Sequence, residues 1–485
     1  MTKAKSISVA VIGAGASGIA TAVKLRDAGI EDIVIFEKTA ELGGTWRDNR
    51  YPGLTCDVPS HLYRFSFAPN PEWSHRYSPG AEILSYMTSV ADNFDVRKLI
   101  RFSSEVTGAA YADGQWRIET INGDQGLFDI VITAVGVLHH PAYPDIEGLR
   151  DFDGPAFHTA RWDEGVYLKG KRVGIVGNGS TATQILPAIV DDAAKVSLFM
   201  RTPQWIMPQA NPPIPEERKA QYRANPAAMA ERFRYLAGVF NGTFCAAVAG
   251  DNPEAYAAMA TACADNLKDS VTDPVLKARL TPDYKVGCKR LIVSDLFYPA
   301  IQRPNAELVT DAIKRIEPGG IRTVDGRLHE LDVLVLATGF NPHQFFKPMN
   351  VTGEGGRSLD DVWSKANIAY RGISVPGFPN WFMLGGPNSP IGNFSFLMTV
   401  EHQLSYVLQL VALIQTGKAR AVAAKMEPTR AYNAALKAKM DGSIWASGCR
   451  SWYIDKNGNV ASYPWSYETF EKDMSAPVLE DFELA

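Results

Sequence analysis

Residues 6–29 read SISVAVIGAGASGIATAVKLRDAG, and this stretch decides the fold. The run Ser6–Ile12 is dense in β-branched residues and predicts a buried strand. Gly13, Gly15 and Gly18 then form GxGxxG, and the pattern behind them predicts a helix ending near Ala28. A second apolar strand, Ile33–Phe36, closes on Glu37, which stands 37 − 13 = 24 residues after the first glycine. The chemistry follows from the geometry. Gly13 permits a tight turn, Gly15 lets a pyrophosphate approach the backbone, and Gly18 lets helix and strand pack closely. The helix then aims its first N–H groups at the phosphate. Ala16 and Ser17 on the first helical turn and Lys38 beside Glu37 join this expected site. Glu37 is expected to accept hydrogen bonds from the adenosine ribose hydroxyls.

The unit recurs from residue 172. Arg172–Val176 predicts a short strand, Gly177, Gly179 and Ala182 give GxGxxA, and a helix carrying Ser180, Thr181 and Gln184 runs to about Val190. The following strand, Lys195–Met200, ends at Arg201, with Thr202 next. The spacing is again 201 − 177 = 24, but the terminal charge is reversed. A carboxylate suits a free ribose 2′-hydroxyl, whereas a guanidinium suits a 2′-phosphate through paired hydrogen bonds. The first unit therefore reads as an FAD or NAD site and the second as an NADP site. A solvated strand-end charge is the plainer account of Arg201. Two dinucleotide sites in one chain imply electron transfer between cofactors, most economically from NADPH to FAD.

Composition narrows the class. The chain has 485 residues, 46% hydrophobic and 21% charged, with a net charge of 49 − 53 = −4. With no like-charged block, nucleic acid is not an expected partner. Apolar stretches such as Ile130–Leu138 fall short of the ~20 residues a membrane helix needs, so no transmembrane segment is expected. Lys3 and Lys5 ahead of an apolar run faintly resemble a secretory leader, but a strand feeding a glycine turn explains that run better. Five cysteines, at 56, 245, 263, 288 and 449, include no CxxC pair. That usage fits a reducing, cytoplasmic setting and argues against a flavin disulfide reductase. Eight histidines include His139-His140, expected at a strand end, and no metal-ligand spacing is found.

Residues 211–285 change character. They open on the proline cluster 211–215, and Asn225-Pro226 and Asn252-Pro253 each place an N-cap asparagine before a first-turn proline. Met229, Phe233, Leu236 and Phe240, then Tyr256, Met259, Cys263 and Leu267, follow at helical spacing and read as core faces. Further on, Leu331–Ala337 predicts a buried strand and Leu397–Gln415 a helix. The expected architecture is α/β, with two Rossmann-like dinucleotide-binding domains and a helical insertion in the second. The FAD domain is expected at 1–145 and 351–485, the NADP domain at 146–210 and 286–350, and the insertion at 211–285.

Several longer stretches point to a family. Gly43-Gly44-Thr45-Trp46 leading through Tyr51-Pro52-Gly53 to Asp57 resembles the GGxWxxxxYPGxxxD stretch of Baeyer–Villiger monooxygenases. Phe152, Gly154, His158, Trp162 and Asp163 resemble their FxGxxxHxxxW[P/D] fingerprint at every fixed position. Cys288-Lys289-Arg290 with Asp295, Phe297, Tyr298 and Arg303 is similar to the family's catalytic-arginine stretch. Leu336-Ala337-Thr338-Gly339-Phe340, Gly386-Pro387-Asn388-Ser389 and Ser451-Trp452-Tyr453 also match, in order, over about residues 6 to 460. The tail 454–459 departs from the ring-ketone enzymes, so no substrate range carries over.

The resemblance implies that NADPH reduces FAD, and that the reduced flavin captures O2 as a C4a-peroxide. Kept anionic, that peroxide attacks a ketone carbonyl to give an ester or lactone. Arg290 would face the negative charge as a cation that cannot act as an acid. Asp57 would orient Arg290 and offset its burial, although an exposed loop is the other reading of Cys56-Asp57. Gly44, Thr45 and Trp46 would line the flavin, and Ala337, Thr338, Gly339 and Asn388 join the cofactor-binding set. Lys289 would join Arg201 and Thr202 at the 2′-phosphate, or stand as a surface lysine. Trp452 would cover the nicotinamide, or pack as core. His158 reads as a structural tether between the nucleotide domains sooner than as an acid or base. Two other functions stay open at this point: a flavin-containing monooxygenase acting on amine nitrogen or sulfide sulfur, and a flavoprotein redox sensor that turns over no small molecule. The specific ketone, its regiochemistry and the oligomeric state are not encoded in local spacing.

Overall fold

The computed structural model describes residues 6–390, 392, 394–449, 451–455, 457–459 and 461–485. Lys3 and Lys5 of the leader-like run, and Lys456 of the divergent tail, lie outside the described residues.

Two five-stranded parallel sheets carry the two glycine motifs. In the first, the strand order is Trp381–Met383, Ile130–Thr133, Ser8–Ile12, Asp32–Phe36, Ile100–Arg101. In the second it is Ala156–His158, Val333–Leu336, Arg172–Val176, Lys195–Phe199, Ala306–Val309. The motif strand is central in each. It pairs on one side with the strand that follows its helix, Ile12 opposite Phe36 and Val176 opposite Phe199. The duplication therefore reaches the central strands of the sheet, not only the glycine loop. Central strands buried on both faces explain the unbroken apolar runs, with Val9, Ala10 and Val11 fully buried, as are Val173 and Ile175.

The outermost strands come from unequal places in the chain. Trp381–Met383 adds to the first sheet from far downstream, whereas Ala156–His158 adds to the second from upstream. A four-stranded layer, Val106–Ala112, Gln115–Thr120, Gly123–Phe128 and Asn350–Thr352, lies against the first sheet. Trp116 fixes it there: its indole packs 4.8 Å from that of Trp381 and donates to the Pro379 carbonyl at 2.7 Å.

Helices Glu216–Ala224, Pro226–Phe240, Pro253–Ser270 and Pro274–Leu280 fill the stretch after the proline cluster. Their starts are capped as the sequence indicates. The Asn225 side chain accepts from Ala227 and Ala228 N–H, and that of Asn252 from Ala255 N–H. Met229, Leu236, Met259, Cys263 and Leu267 are buried, while Phe233 and Phe240 are only partly so.

The helix Phe396–Gln415 corrects one expectation. It has 20 residues and a mean hydropathy of 1.3 over its most apolar window, long and apolar enough to cross a membrane by those measures. Here it is a core helix. Leu397, Val400, Leu404, Val407, Leu410 and Val411 join the same buried cluster as Ile19 and Val23 of the first motif helix. A second correction concerns His139-His140. The strand ends earlier, at Thr133, and both histidines lie beyond it in the wall of the first glycine cleft.

Candidate active site

The two glycine loops are built alike. Gly13 and Gly177 hold φ of +106° and +104°, a region closed to residues with a Cβ. A Cβ on Gly13 would lie 2.7 Å from the Ala134 carbonyl oxygen, and one on Gly177 would lie 2.4 Å from that of Ala337. Each loop turns against the strand next door, so Ala337 acts behind the second loop. Gly15 and Gly179 are the N-caps of helices Ala16–Asp27 and Ser180–Ile189, in matching extended conformations. No backbone or side chain occupies the space in front of Gly179, and Gly15 faces only Gly44 at ordinary contact distance. Both helix N-termini are thus open to an anion.

In front of the first loop is a partly enclosed cleft. It is lined by Gly13, Gly15, Ala16, Ser17, Glu37, Lys38, Gly44, Thr45 and Trp46, as the sequence predicts, with His139, His140 and Phe346 across from them. Bare glycine backbone, an open helix N-terminus and apolar lining residues such as Val106, Leu138 and Phe346 fit the pyrophosphate and ring system of FAD. Gly18 lies behind this cleft, in contact with Gly13.

Glu37 carries a structural role in addition to the expected one. Its carboxylate is buried and already engaged: one oxygen accepts from Ala14 N–H at 2.9 Å, the other from Thr39 N–H at 3.0 Å. Arg47 donates to it at 3.1 Å and also pairs with Asp48 at 2.7 Å. Glu37 therefore braces the glycine loop, with only its remaining lone pairs left for a ribose. Arg47 was missed as a functional residue. Burial pulls its guanidinium down, but Asp48 and Glu37 outweigh that and hold it above the ordinary arginine value. An arginine inside the GGTWRD run was the available signal.

The second half of the site gathers around Arg290. Its Nη2 is paired with the Asp57 carboxylate, and its Nη1 donates to the Gly392 carbonyl at 2.7 Å. The Tyr453 phenol lies against the same guanidinium. Burial pulls the guanidinium down, but Asp57 and Tyr453 outweigh it, so Arg290 stays charged at any working pH. Its side chain keeps 27% of its surface accessible. A braced but reachable cation is suited to stabilising negative charge on oxygen. Asp57 is not on a free loop, since it and Arg290 meet across 233 residues of sequence.

Lys289 and Arg201 also converge. Burial lowers the Lys289 ammonium below the ordinary lysine value; Asp283 opposes this and the neighbouring charge of Arg201 adds to it. Two neighbouring cations suit a dianionic 2′-phosphate. The Thr202 carbonyl accepts from the Asn178 side chain at 2.8 Å, joining the glycine loop to the turn after the second strand.

Other predicted residues hold the frame together. Gln184 donates to the Thr55 carbonyl at 3.0 Å and accepts from the Tyr51 hydroxyl at 3.1 Å. Gln184 thus ties the second motif helix to the Tyr51–Asp57 stretch while remaining partly exposed. His158 is fully buried: its Nε2 donates to the Gly339 carbonyl at 2.9 Å, and its Nδ1 accepts from Ala160 N–H at 3.1 Å. Burial keeps the imidazole neutral, which that pairing requires. His158 is a tether between the edge strand and the loop after Val333–Leu336. The fingerprint packs around it, with Trp162 edge-on to Phe157 at 5.0 Å, and Asp163 accepting from Gly165 N–H. A Cβ on Gly154 would strike the Asp332 carbonyl at 2.5 Å and the Phe152 ring. Thr338 donates to the Ala142 carbonyl at 2.6 Å, and Asn388 takes a φ of +59°. Trp452 packs tilted against Tyr453 with ring centroids 4.2 Å apart, half in the core.

The cysteines depart furthest from expectation. Cys288 and Cys449 form a disulfide, while Cys56, Cys245 and Cys263 are unbridged and buried. The tertiary fold brings together two residues 161 positions apart. No local spacing encodes that meeting. Among the described residues no group of His, Cys, Asp and Glu has the makings of a metal site.

Known proteins share this arrangement. Residues 5–213 match the flavin-binding monooxygenase-like family. A monooxygenase of Mycobacterium tuberculosis is 45% identical over 460 residues, covering 95% of this chain and 92% of the relative. A Baeyer–Villiger monooxygenase of Streptomyces coelicolor is 38% identical over 483 residues, covering 99% and 92%. Among solved structures, closed cyclohexanone monooxygenase superposes with a TM-score of 0.88 at 29% identity over 99% of both chains. A steroid monooxygenase bound to NADP gives the same values. The fold and site define a flavin-dependent monooxygenase. Within that class, the chain belongs to the Baeyer–Villiger monooxygenase family.

Proposed function

We propose that this enzyme uses NADPH and O2 to insert one oxygen atom beside a ketone carbonyl, giving an ester or lactone. The Arg290–Asp57 pair carries the reading: a permanently charged, oriented guanidinium serves a reaction in which negative charge collects on oxygen. FAD, when bound, takes electrons from NADPH and passes one oxygen atom to the substrate. The chain's own part is to bind, orient and protect. Residues 1–145 and 351–485 would hold FAD, residues 146–210 and 286–350 would hold NADPH, and 211–285 would be the insertion. Arg290 would stabilise the substrate oxygen as the carbonyl carbon becomes tetrahedral. Asp57 keeps the guanidinium aimed without supplying a transferable proton to it. His158 positions the loops and moves no proton.

The test is product identity. Enzyme loaded with FAD is given NADPH, isotopically labelled O2 and a panel of linear, cyclic and aromatic ketones, with a tertiary amine and a thioether alongside. The expected result is ester or lactone carrying one labelled oxygen per NADPH. Formation of N-oxide or sulfoxide with no ester from any ketone overturns the reading.

Arg201 and Lys289 set the preference for NADPH in this account. Replacing Arg201 with glutamine is expected to narrow the NADPH-to-NADH ratio of kcat/KM by at least about tenfold, the scale of a lost hydrogen bond to a charged group. An unchanged ratio would remove Arg201 from the 2′-phosphate site.

A further inference from the structure

Arg290 is fastened from two directions. Asp57 reaches it from the stretch after the first glycine motif, and Tyr453 reaches it from the tail. The second approach has a covalent anchor. Cys288, two residues before Arg290, is bonded to Cys449, four residues before Tyr453. Tyr453 and Arg290 close tightly around Gly392: a Cβ on that glycine would lie 2.6 Å from the phenol oxygen and 2.8 Å from Nη1. Tyr453 is buried beside Trp445, and Trp452 also packs against its ring. Among the described residues, the hydrogen bond that ties the backbone of segment 446–455 to a distant part of the chain runs from His343 Nε2 to the Trp452 carbonyl, at 3.0 Å.

The two sulfurs differ in access. Cys288 is fully buried. Cys449 is partly exposed, and Ser447 and Gly448 before it are exposed. An attacking thiolate can reach Cys449 and not Cys288.

We propose that the Cys288–Cys449 disulfide is a reducible tether that holds Tyr453 on Arg290, and that Tyr453 is a positioning residue for that guanidinium. The inference deepens the oxygenation reading above and rests on it for its catalytic consequence. The reductant is a dithiol. One of its thiolates attacks Cys449 Sγ, the bond to Cys288 Sγ breaks, and Cys288 leaves with the electron pair and takes up a proton. The second thiol then displaces Cys449, which is protonated in turn. Two electrons and two protons have passed to the protein, and the dithiol has become a disulfide. With the bond open, the segment can lift, and Arg290 keeps Asp57 and the Gly392 carbonyl but loses the phenol that completes its orientation. Loosening a guanidinium that must meet charge on oxygen diverts turnover from ester to hydrogen peroxide.

The experiment uses the full-length enzyme loaded with FAD, as isolated and after treatment with dithiothreitol that is then removed without air. Thiols are counted under denaturing conditions. Five cysteines less the bonded pair give three before reduction, and five after it. Hydrogen exchange across 446–455 is expected to rise on reduction, and ester formed per NADPH to fall about tenfold, as for one lost hydrogen bond to a charged group. Cys449→Ser should behave as the reduced enzyme whether or not dithiol is present. Tyr453→Phe should keep the count of three thiols and an unchanged KM for NADPH, yet lose ester-forming kcat and gain peroxide release. That split separates positioning from mere loss of fold. Five thiols in fully coupled enzyme as isolated would remove the tether. Wild-type coupling in Tyr453→Phe would remove the positioning role. If no form of the enzyme makes ester, the oxygenation reading fails, while thiol count and exchange still decide whether the tether exists.

Discussion

Replacing Arg290 with alanine is expected to cut ester formation roughly 100- to 1000-fold, the cost of removing one preorganised donor from a developing oxyanion, about 2.7–4 kcal/mol. NADPH consumption should persist, because Lys289 and Arg201 remain and the first glycine cleft is untouched. The oxygen consumed would then leave as hydrogen peroxide. Lysine at this position should recover little. An ammonium is a compact point charge, and it cannot meet the Asp57 carboxylate and the Gly392 carbonyl from two nitrogens of one rigid plane, as Arg290 does. Parallel assays of ester, peroxide and NADPH decide the matter. Ester at the wild-type rate from Arg290→Ala would mean the cation has no part in the oxygenation step.

Asp57 makes a useful comparison. Its side chain is 32% accessible, so water screens part of what its loss would expose. Arg290 stays charged without it. Asp57→Ala should therefore fall between wild type and Arg290→Ala in coupling.

How much of this was legible in the sequence depends on the range over which each feature is determined. The glycine loops were readable because their constraints are local. Gly13 and Gly177 need a positive φ, a 24-residue spacing follows from one strand–helix–strand unit, and Glu37 and Arg201 fall at its end. Asparagine caps at 225 and 252 were readable for the same reason. The edge strands Ala156–His158 and Trp381–Met383 were not, because three residues carry no periodicity. Only pairing with a central strand makes them strands. The Arg290–Asp57 pair came through resemblance, since nothing in either neighbourhood names the other across 233 residues. Glu37 was placed at the cleft, but its protein partners were not foreseen. Its ties to Ala14, Thr39 and Arg47 depend on how the chain returns after residue 37. Tyr453 and the disulfide were missed because both are products of the tail folding back onto the arginine segment.

The two repeats differ at the third fixed position of the glycine motif, and that difference carries the largest structural prediction. The third residue of the motif is Gly18 in the first unit and Ala182 in the second. A Cβ on Gly18 would lie 1.9 Å from the Gly13 carbonyl oxygen and 3.0 Å from its carbon. Both are backbone atoms of the turn that faces the pyrophosphate, so they cannot yield as a flexible side chain would. In the second unit, Ala182 is fully buried with its methyl group accommodated, which places that helix under a looser constraint. Gly18→Ala is therefore expected to push the helix off its strand and open the cradle. Overpacking of this kind costs about 1–3 kcal/mol or more, so FAD should be retained weakly or lost on purification. Ala182→Gly, the reverse change, adds no atom and should cost about 1–2 kcal/mol, from helix propensity and the lost buried methyl, without crowding the turn. Flavin content per protein chain and the affinity regained on adding FAD measure both. Full, tightly held flavin in Gly18→Ala would show that the first helix can move away without disturbing Gly13, and that the contact between these two glycines does not set the shape of the site.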